Sequence, residues 1–482
     1  MIVMKFGGTS VAGAGPIRQV GQIVKRYYGQ HPVLVVSALA GVTDELIAAA
    51  NAAAAGKRTD VRRRLQRLTA RHDTVVRRLG LDAGAQAALR RDIEGEFAEL
   101  DEVLHGVYLL REPSRRSLDL VASFGERLAS RLVAVHLRQA GLEGLAVDAR
   151  DLIVTDDAHG AAVVDVAATG RRTRARLRPI LRRKGVPVVT GFIGRTRQGA
   201  TTTLGRSGSD YTAALIGEAL LAREVWIWKE VDGVLTADPA VVANARLVSR
   251  ISYQEAAEMA HFGAEVIHPK TMQPVRRAGI PIRIKNTFRP DAPGTLITAR
   301  PAGGRGPLMV SSMSGMALLT IEGEGIFGQP GMVMRLLGPV AQAGTNIYMI
   351  SMSSSEYNVS FAIRQGDVER TMKALASDFR QRGLLGEQVA RIEVERGMAA
   401  VAVVGAGMKG QRGIAGRIFS ALGDRGVNVV AIAQGSSEYN ITVIVKQRRV
   451  VAAVRAIHER LNGPTSARRW ARPSGLARLR AV

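Results

Sequence analysis

The amino-acid sequence predicts an α/β domain with a mostly parallel sheet, followed by two copies of a smaller module. Apolar strand-like runs alternate with helical patterns over the first 300 residues or so, which is the order of a parallel sheet flanked by helices. Beyond that region, a spaced set of residues recurs at one fixed offset, which indicates a repeated unit. The length of 482 residues agrees with about three domains.

Short apolar runs predict the strands of the first domain, and helical patterns follow them. The predicted strands are Ile2–Phe6, Val33–Ser37, Val186–Thr190 and Val225–Trp228. The predicted helices are Ile17–Tyr28, Asp44–Ala55, an arginine-rich stretch around 60–110, Phe124–Ala140 and Tyr211–Leu221. A run rich in glycine and proline predicts a linker at 299–307, so the first domain is expected at 1–298.

An internal repeat defines the C-terminal region. Its first copy contains Gly323, Gly325, Gly328, Gln329, Gly331, Arg335, Gly344, Asn346, Ile350 and Ser354-Ser355-Glu356-Tyr357-Asn358. Each of these residue types recurs 82 positions later (405 − 323 = 82), through Ser436-Ser437-Glu438-Tyr439-Asn440. We therefore expect one module at 308–394, a second at 395–463 and a basic flexible tail at 464–482.

Composition limits the classes of partner and chemistry. The net charge of +25 (67 − 42) permits nucleic acid, membrane surfaces or anionic metabolites. The arginine clusters lack the interleaved aromatics of single-strand binders, so we interpret much of the excess as compositional bias and expect no nucleic-acid partner. No run approaches the ~20 apolar residues of a membrane span and the start does not resemble a signal peptide, so a soluble cytoplasmic protein is expected. The absence of cysteine excludes disulfides, thiolate metal sites and thiol nucleophiles.

One glycine motif resembles a dinucleotide-binding motif but is better explained by the internal repeat. Gly405-Ala406-Gly407-Met408-Lys409-Gly410 matches GxGxxG between an apolar strand and a helix. A dinucleotide site wants an acidic residue closing the next strand, where this chain has Ala433-Gln434. The glycines also recur in the first copy, so the repeat explains them better.

Two glycine-rich loops at predicted strand ends are candidates for phosphate binding. Lys5-Phe6-Gly7-Gly8-Thr9-Ser10 follows the first strand, and Gly205-Arg206-Ser207-Gly208-Ser209-Asp210 enters a predicted helix. Glycines let backbone N–H groups approach phosphate oxygens, while Lys5 and Arg206 supply positive charge. From the residues alone, a tight turn at the first loop and a helix cap at Ser209 or Asp210 remain alternatives.

The ordered motifs resemble those of aspartate kinases (aspartokinases), and the repeat resembles their paired ACT domains. The motifs are Lys5 to Val11, Ser37-Ala38, Gly41-Val42-Thr43, Ser123-Phe124-Gly125-Glu126, Thr190 to Gly194, Gly205 to Asp210, Val231-Asp232-Gly233 and His268-Pro269. The resemblance covers about residues 1–463 and implies an amino-acid-kinase-type sheet followed by two ferredoxin-like βαββαβ ACT modules. It implies ATP-dependent phosphorylation of the L-aspartate β-carboxylate to 4-phospho-L-aspartate, the first step of lysine, threonine and methionine biosynthesis. The homoserine dehydrogenase domain of bifunctional relatives is not expected.

The resemblance also implies roles for individual residues. Lys5 and Asp210 would be catalytic, with Lys5 stabilising the transferring phosphoryl group and Asp210 ordering cations and positioning Lys5. The substrate-binding residues would be Arg206 for the α-carboxylate, Glu126 for the ammonium group, and Thr43 and Ser209 for further hydrogen bonds. ATP with Mg²⁺ is the expected cosubstrate, without a dedicated set of metal ligands. The nucleotide-binding residues would be Lys5, Phe6, Gly7, Gly8, Ser37, Lys229, Glu230 and Leu235.

The nucleotide side departs from the family pattern. Leu235 stands where a tyrosine is common, Ala240 where an arginine is common, and Glu265 where a lysine is frequent. Lys229 compensates in part for the added negative charge. These differences leave open the alternative of a catalytically weak or silent, amino-acid-sensing regulatory paralogue.

The paired ACT domains of the family imply regulation and assembly. They bind an end-product amino acid between them, so lysine, threonine or both are expected effectors, and a homo-oligomer, a dimer through the ACT modules, is expected. The candidate effector-binding residues are Gly331, Asn346, Asn428 and Gln434. Gln434 corresponds to Met352 in the first copy, so the two sites are expected to be unequal.

Overall fold

Two compact units make up the described part of the chain. The structure is a computed structural model that describes residues 1–263, 267–300, 308–323, 331–352, 358–384 and 389–463. The first unit contains the described residues of Met1–Val234, Leu247–Ala260 and Glu265–Ala302. The second contains those of Leu235–Arg246, His261–Ala264 and Gly303–Val482. Residues 235–246, expected in the first domain, therefore belong to the second unit.

The first unit is built on an eight-stranded, mostly parallel sheet, as predicted. The strands of the whole first unit, which include those of a second, smaller sheet, are β1 (Ile2–Phe6), β2 (Pro32–Val36), β3 (Gly144–Val147), β4 (Val154–Thr155), β5 (Val186–Thr190), β6 (Ile193–Thr196), β7 (Thr201–Thr203), β8 (Val225–Lys229), β9 (Arg250–Ser252), β10 (Ile282–Asn286) and β11 (Thr295–Thr298). The main sheet has the order β3-β5-β2-β1-β8-β10-β11-β9, with β10 and β11 antiparallel and the other neighbours parallel. A small sheet, β4-β6-β7, lies apart from it.

The described residues of the first unit also form nine α-helices. They are α1 (Ala14–Arg26), α2 (Val42–Ala54), α3 (Arg58–Arg78), α4 (Ala83–Leu110), α5 (Arg115–Gln139), α6 (Val166–Arg182), α7 (Gly208–Leu220), α8 (Tyr253–His261) and α9 (Pro269–Arg277). The last residue of α8 belongs to the second unit. The arginine-rich stretch forms two helices, α3 and α4. α5 begins at Arg115 rather than at the predicted Phe124, because the Ser114 hydroxyl oxygen accepts a hydrogen bond from Ser117 N at 3.1 Å. Among the described residues, no helix combines the length and apolarity that crossing a membrane requires.

The core of the first unit explains why its central strands were predictable. Every residue of β1 and β2 is buried, as expected for parallel strands covered by helices on both faces. Phe6 at the end of β1 stacks on Trp228 of β8 with ring centroids 5.8 Å apart. The ends of β1 and β8 are therefore held together by two stacked aromatic rings.

The second unit holds two repeated modules that share their longest strands. Its further elements are β12 (Met309–Glu322), α10 (Met332–Gln342), β13 (Met349–Met352), β14 (Asn358–Arg364), α11 (Val368–Gln381), β15 (Arg391–Val404), α12 (Ile414–Asp424), β16 (Ala431–Gln434), β17 (Asn440–Lys446) and α13 (Val450–Asn462). The sheet order is β13-β14-β12-β15-β17-β16. Residues 316–322 of β12 pair with β14 and with residues 391–398 of β15, whereas residues 309–313 pair with 400–404.

The strand pairing places the boundary between the two modules differently from the boundary expected from the repeat. Each module has the expected βαββαβ set of elements, but the fourth strand of the second module is the first part of β12, which precedes the first module in the chain. The expected division between residues 394 and 395 falls inside β15. A glycine with positive φ interrupts each long strand, Gly315 at 71° and Gly397 at 69°. Several repeat positions, Gly325, Gly328, Gln329 and Ser354 to Tyr357, lie outside the described residues, as do Glu265, residues 301–307 and the tail 464–482.

The segment Leu235–Arg246 is held in the second unit by contacts with α13. Thr236 Oγ1 lies 2.9 Å from His458 Nε2, and both residues are buried. Arg455 Nε donates to Val241 O at 2.8 Å, and Arg246 Nη2 donates to Asn462 O at 2.6 Å. The segment is thus part of the core and hydrogen-bond network of the second unit.

Candidate active site

A cavity of 580 Å³ in the first unit gathers most of the site residues predicted from sequence. It is lined by residues that end or follow β1, β2 and β8, together with residues of α5 and the start of α7. The predicted residues that line it are Lys5, Gly8, Ser37, Thr43, Glu126, Arg206, Ser209, Asp210 and Lys229. Ligands of parallel α/β sheets bind beyond the carboxyl ends of the strands, which is where this cavity lies.

Lys5 and Asp210 form a buried ion pair in this cavity. Lys5 Nζ lies 2.7 Å from Asp210 Oδ1, and the two residues are 7% and 3% exposed. The two groups are within ion-pair distance without the alignment of a directed hydrogen bond. A charged ammonium group is therefore fixed at the end of β1, close to the glycine loop.

The loop after β1 is closely fitted to its neighbours. Gly7 N donates to Trp228 O at 3.1 Å, and Ala40 N donates to Gly8 O at 3.2 Å. A Cβ atom on Gly8 would lie 3.1 Å from Ala38 O and 3.3 Å from Ala40 Cα, so a side chain does not fit there without movement of the backbone. Glycine at this position lets the loops after β1 and β2 meet at one wall of the cavity.

The N-terminus of α7 faces the same cavity without a side-chain cap. The residue before the helix is Ser207, which has φ 56° and makes no capping hydrogen bond with its side chain. Ser209 and Asp210 lie inside the first turn, so the alternative that one of them is a helix cap is wrong. Backbone N–H groups at an uncapped helix start favour an anion, such as a phosphate or carboxylate group.

Glu126 supplies a buried carboxyl group with an unused oxygen. Its Oε1 accepts a hydrogen bond from Ala38 N at 3.1 Å, whereas its Oε2 is buried without a hydrogen-bond partner among the described residues. Burial raises the pKa of Glu126 to about 8, and the bond from Ala38 opposes that rise. Such a group is suited to a cationic ligand, because an ammonium would both pair the free oxygen and stabilise the carboxylate.

The Arg206 loop has further positive charge beside it. His268 precedes α9, and its pKa is lowered by burial and by the charges of Arg206 and Lys270. Lys270 Nζ donates to Leu204 O at 3.3 Å and lies over the ring of Tyr211. Lys270 thus supports the loop from the α9 side. It was not predicted as a site residue, because the family motif at this place consists of the two residues before it, His268 and Pro269.

Three of the predicted nucleotide-binding residues, Phe6, Glu230 and Leu235, are not among the residues that line the cavity. The Phe6 side chain is in the core, stacked on Trp228, and Phe6 does not line the cavity. Glu230 Oε2 accepts a hydrogen bond from Thr9 Oγ1 at 2.8 Å and does not line the cavity. Leu235 belongs to the second unit.

Two of the predicted effector residues, Asn346 and Asn428, occupy equivalent surface positions of the two modules. Gly331 precedes α10 with φ 82°, and Asn346 and Asn428 are exposed in the turns after α10 and α12. Gln434 is exposed at the end of the edge strand β16, as Met352 is on β13. Among the described residues, no hydrogen bond joins the side chains of Asn346, Asn428 and Gln434 into one site.

The cavity also contains residues that the sequence analysis did not name as site residues. Phe192 lies in its wall with φ 68°, and Phe192 N donates to Thr212 Oγ1 of α7 at 3.2 Å. Asp44, in the first turn of α2, adds a third carboxylate to those of Glu126 and Asp210. No local signal distinguishes Phe192 from other residues of its motif, because its contact with α7 is made only in the folded chain.

Comparison with known proteins identifies the families to which the two parts of this architecture belong. The amino acid kinase family matches residues 1–286, and the ACT domain matches residues 319–379 and 401–461. The first unit and its cavity thus define an amino acid kinase, and the repeat defines a pair of ACT domains. The chain belongs to the aspartokinase family.

Individual relatives support this assignment. Aspartokinase 3, chloroplastic, of Arabidopsis thaliana is 32% identical over 472 residues, which are 95% of this chain and 80% of the relative. The bifunctional aspartokinase/homoserine dehydrogenase 2 of the same plant is 36% identical over 468 residues, 95% of this chain but 50% of the relative. The chain therefore spans about half the length of that bifunctional protein.

Solved structures of E. coli aspartokinase III are similar over nearly the whole chain. The complex with aspartate and ADP has a TM-score of 0.80 and 31% identity, with 96% of this chain and 99% of that chain covered. The complex with lysine and aspartate has a TM-score of 0.78 and 29% identity at the same coverage. The predicted fold class, a mostly parallel amino-acid-kinase sheet followed by ACT modules, is confirmed.

Proposed function

We propose that this chain transfers the γ-phosphoryl group of ATP to the β-carboxylate of L-aspartate, forming 4-phospho-L-aspartate and ADP. The observation that most supports it is the cavity that brings Glu126, one oxygen of which is buried without a partner among the residues described, together with Arg206 and the Lys5–Asp210 pair. An α-amino acid needs an anion for its ammonium group and a cation for its α-carboxylate. Glu126 and Arg206 supply these two groups.

The proposed chemistry needs positioning and charge stabilisation more than a base. The aspartate β-carboxylate has an ordinary pKa of about 3.9, so it is ionised and nucleophilic at neutral pH. Lys5 stabilises the charge of the transferring phosphoryl group, and the uncapped start of α7 supplies N–H groups to anionic oxygens. Asp210 holds the Lys5 ammonium in place. Thr43 and Ser209, both at the cavity wall, add hydrogen bonds to the amino acid.

The nucleotide enters as its magnesium complex. No group of three or more His, Asp or Glu side chains among the described residues is arranged to hold a metal ion. The Asp210 carboxylate, which lines the cavity beside the Lys5 ammonium, is a hard oxygen ligand of the kind that would help to hold a magnesium ion brought by the nucleotide. The ion would add positive charge to the phosphates during transfer.

Coupled measurement of ADP release tests the proposal. Aspartate is expected to support ADP release, whereas glutamate, acetylglutamate and UMP at equal concentration are expected to support far less. Release with one of the other acceptors, and none with aspartate, would contradict the substrate assignment. Lysine binding without ADP release from any acceptor would favour the alternative of a silent regulatory paralogue, which the departures from the family pattern at Leu235, Ala240 and Glu265 leave open.

Regulation is proposed for the second unit. The E. coli relative has been crystallised with lysine, so lysine is the first effector to test, with threonine second. The exposed apolar residues of the two edge strands, Ile350, Met352 and Ile432, support a homodimer formed through the ACT modules. Light scattering of the purified chain at micromolar concentration checks the dimer, and a monomer with and without lysine contradicts it. The cytoplasmic location remains a prediction.

A further inference from the structure

A buried carboxylate outside the cavity joins three segments of the first unit. Asp119 lies on α5, seven residues before Glu126, and is 3% exposed. Its Oδ1 accepts from Thr203 Oγ1 at 2.6 Å and from Gly160 N at 3.1 Å. Its Oδ2 accepts from Gly160 N at 3.0 Å and from His159 Nδ1 at 2.9 Å. Asp119 therefore ties the end of β7 and the loop after β4 to the helix that carries Glu126.

The segment held by Asp119 packs directly against the start of the Arg206 loop. Gly205 has φ 75°, and a Cβ atom on it would lie 3.2 Å from Ala161 Cβ and 3.3 Å from Gly160 O. Ala162 N donates to Thr203 O at 2.9 Å. The backbone one residue before Arg206 is thus in contact with the two residues that follow His159.

We propose that Asp119, together with His159 and Thr203, is a positioning residue that fixes Arg206 for the α-carboxylate of the amino-acid substrate. This inference rests on the proposed function, because it assigns Arg206 to that carboxylate. Asp119 does not line the cavity, so it acts through the loop and not on the substrate. Since Glu126 is on the same helix, one rigid element sets the spacing between the two groups that hold the amino acid.

A carboxylate is the group that this arrangement needs. Both oxygens accept, and the donors are two side chains and one backbone N–H. An asparagine would keep one accepting oxygen and turn an N–H₂ group towards a donor, which is repulsive. A displacement of about 1 Å at a substrate-binding group costs on the order of 100-fold in rate, so the loss of these bonds is expected to show in catalysis.

Paired substitutions separate the hydrogen bonds from the bulk of the side chains. Thr203→Val removes the hydroxyl at nearly constant volume, and Thr203→Ser keeps it. His159→Leu removes the ring donor, and His159→Asn offers an amide N–H in place of Nδ1. Thr173→Val is the matched control, because Thr173 is a fully buried threonine of α6 whose Oγ1 has no partner among the described residues.

The expected result is a change in the KM for aspartate without a matching change in the KM for ATP. Thr203→Val, His159→Leu and Asp119→Asn are expected to raise the KM for aspartate by about tenfold or more, with the KM for ATP within about twofold of wild type. Thr203→Ser and His159→Asn are expected to restore most of the aspartate affinity. Thr173→Val is expected to leave both values unchanged.

Two kinetic outcomes would overturn the proposal. One is an unchanged KM for aspartate in Thr203→Val and His159→Leu. The other is an equal rise in both KM values that Thr203→Ser does not correct, which indicates general damage to the fold. If Asp119→Asn fails to fold, the Thr203 and His159 pairs decide the question.

Hydrogen exchange distinguishes failure of this proposal from failure of the proposed function. Exchange at residues 203–208 is expected to be faster in Thr203→Val than in Thr203→Ser, whatever the substrate. Faster exchange in a protein that releases no ADP with aspartate would refute the proposed function and keep the loop contact. Unchanged exchange together with aspartate-dependent activity would refute the positioning role alone.

Discussion

At the scale of single residues, Glu126 shows how burial prepares a group for its ligand. The carboxyl is enclosed, and one of its oxygens has no hydrogen-bond partner in the described part of the chain, so the charged form lacks the hydration that it would have in water. Binding an ammonium group removes that deficit. The same residue therefore favours substrate binding and disfavours its own ionisation in the free protein.

Aspartate affinity is predicted to depend on pH through Glu126. The pKa of Glu126 is raised to about 8, so the carboxylate that pairs with the ammonium becomes more populated as pH rises to that value. The KM for aspartate is expected to fall by roughly tenfold between pH 7 and 8.5. Steady-state kinetics across this range check it. A Glu126→Gln variant should have a high KM with little pH dependence, and an equal slope in that variant contradicts the assignment.

The same pKa predicts a pH dependence of stability. The folded-state pKa of about 8 lies above the ordinary value of 4.5, so between these values the folded protein binds more protons than the unfolded chain. The free energy of unfolding is therefore expected to fall as pH rises through this window, by up to about 1.4 kcal/mol per pH unit from this group. Denaturant melts of ligand-free wild type and Glu126→Gln from pH 5 to 8 measure it. A variant that loses stability as steeply as wild type contradicts the burial argument.

Site residues were predictable where a motif surrounds them and missed where only the fold assembles them. Lys5, Glu126, Arg206 and Asp210 lie in glycine-rich or motif segments, and the cavity brings them together. Asp119 lies in an ordinary helical sequence. Its partners are 40 and 84 residues away along the chain, so no local pattern indicates the contact.

At the scale of elements, close backbone approach explains why particular glycines surround the cavity. Gly191 follows β5 and faces the first turn of α7. A Cβ atom there would lie 2.5 Å from Ser209 Cβ and 2.9 Å from Ser209 Cα. The strand end and the helix start therefore meet through this glycine.

Two glycine-to-alanine substitutions are predicted to act in opposite directions. Gly191→Ala is expected to destabilise the protein by about 1–3 kcal/mol and to reduce aspartate-dependent activity, because the new methyl group displaces Ser209. Gly95→Ala, at an exposed position inside α4 where the new Cβ would lie within 4 Å of no described residue beyond its chain neighbours and the helix backbone, is expected to stabilise by up to about 1 kcal/mol with unchanged activity. Denaturant unfolding and initial rates check both. Equal effects of the two substitutions would contradict the close-contact argument.

The elements that sequence predicted are those with strong apolar patterns. β1, β2, β5 and β8 are buried apolar runs at the centre of a parallel sheet, and their prediction is confirmed within one residue at each end. β7 was missed because it consists of Thr201, Thr202 and Thr203, which are held by side-chain hydrogen bonds. α6 was missed because Gly170, Pro179 and repeated arginines obscure its apolar stripe.

At the scale of the whole molecule, the chain passes twice between its units at one hairpin. Val234 N bonds Thr295 Oγ1, and Val234 O accepts from Val248 N, both within the first unit. Thr236 and Arg246 then pair their backbones within the second unit. Local sequence does not indicate this division, nor the shared strands β12 and β15, because both depend on pairing across long distances in the chain.

The response to lysine is predicted to depend on the hydrogen bonds that join this hairpin to α13 within the second unit. Thr236→Val removes the buried hydrogen bond to His458 and is expected to raise the lysine concentration for half-inhibition by about tenfold, with KM values in the absence of lysine little changed. Glu459→Gln, an exposed neighbour on α13, is the control and should behave as wild type. Inhibition assays at fixed aspartate measure it. Unchanged lysine inhibition in Thr236→Val would contradict this route of coupling.

Trapping the acyl phosphate that the cavity is proposed to form on aspartate is a direct test of the proposed activity. Hydroxylamine converts an acyl phosphate to a hydroxamate, which is measured beside ADP from the same reaction. Wild type and the exposed-site control Lys25→Ala are expected to form one aspartyl hydroxamate per ADP, and Lys5→Ala is expected to lose about 10²–10³-fold of this rate. ADP formed without hydroxamate would contradict phosphorylation of aspartate, and equal hydroxamate formation by Lys5→Ala would contradict the role of Lys5.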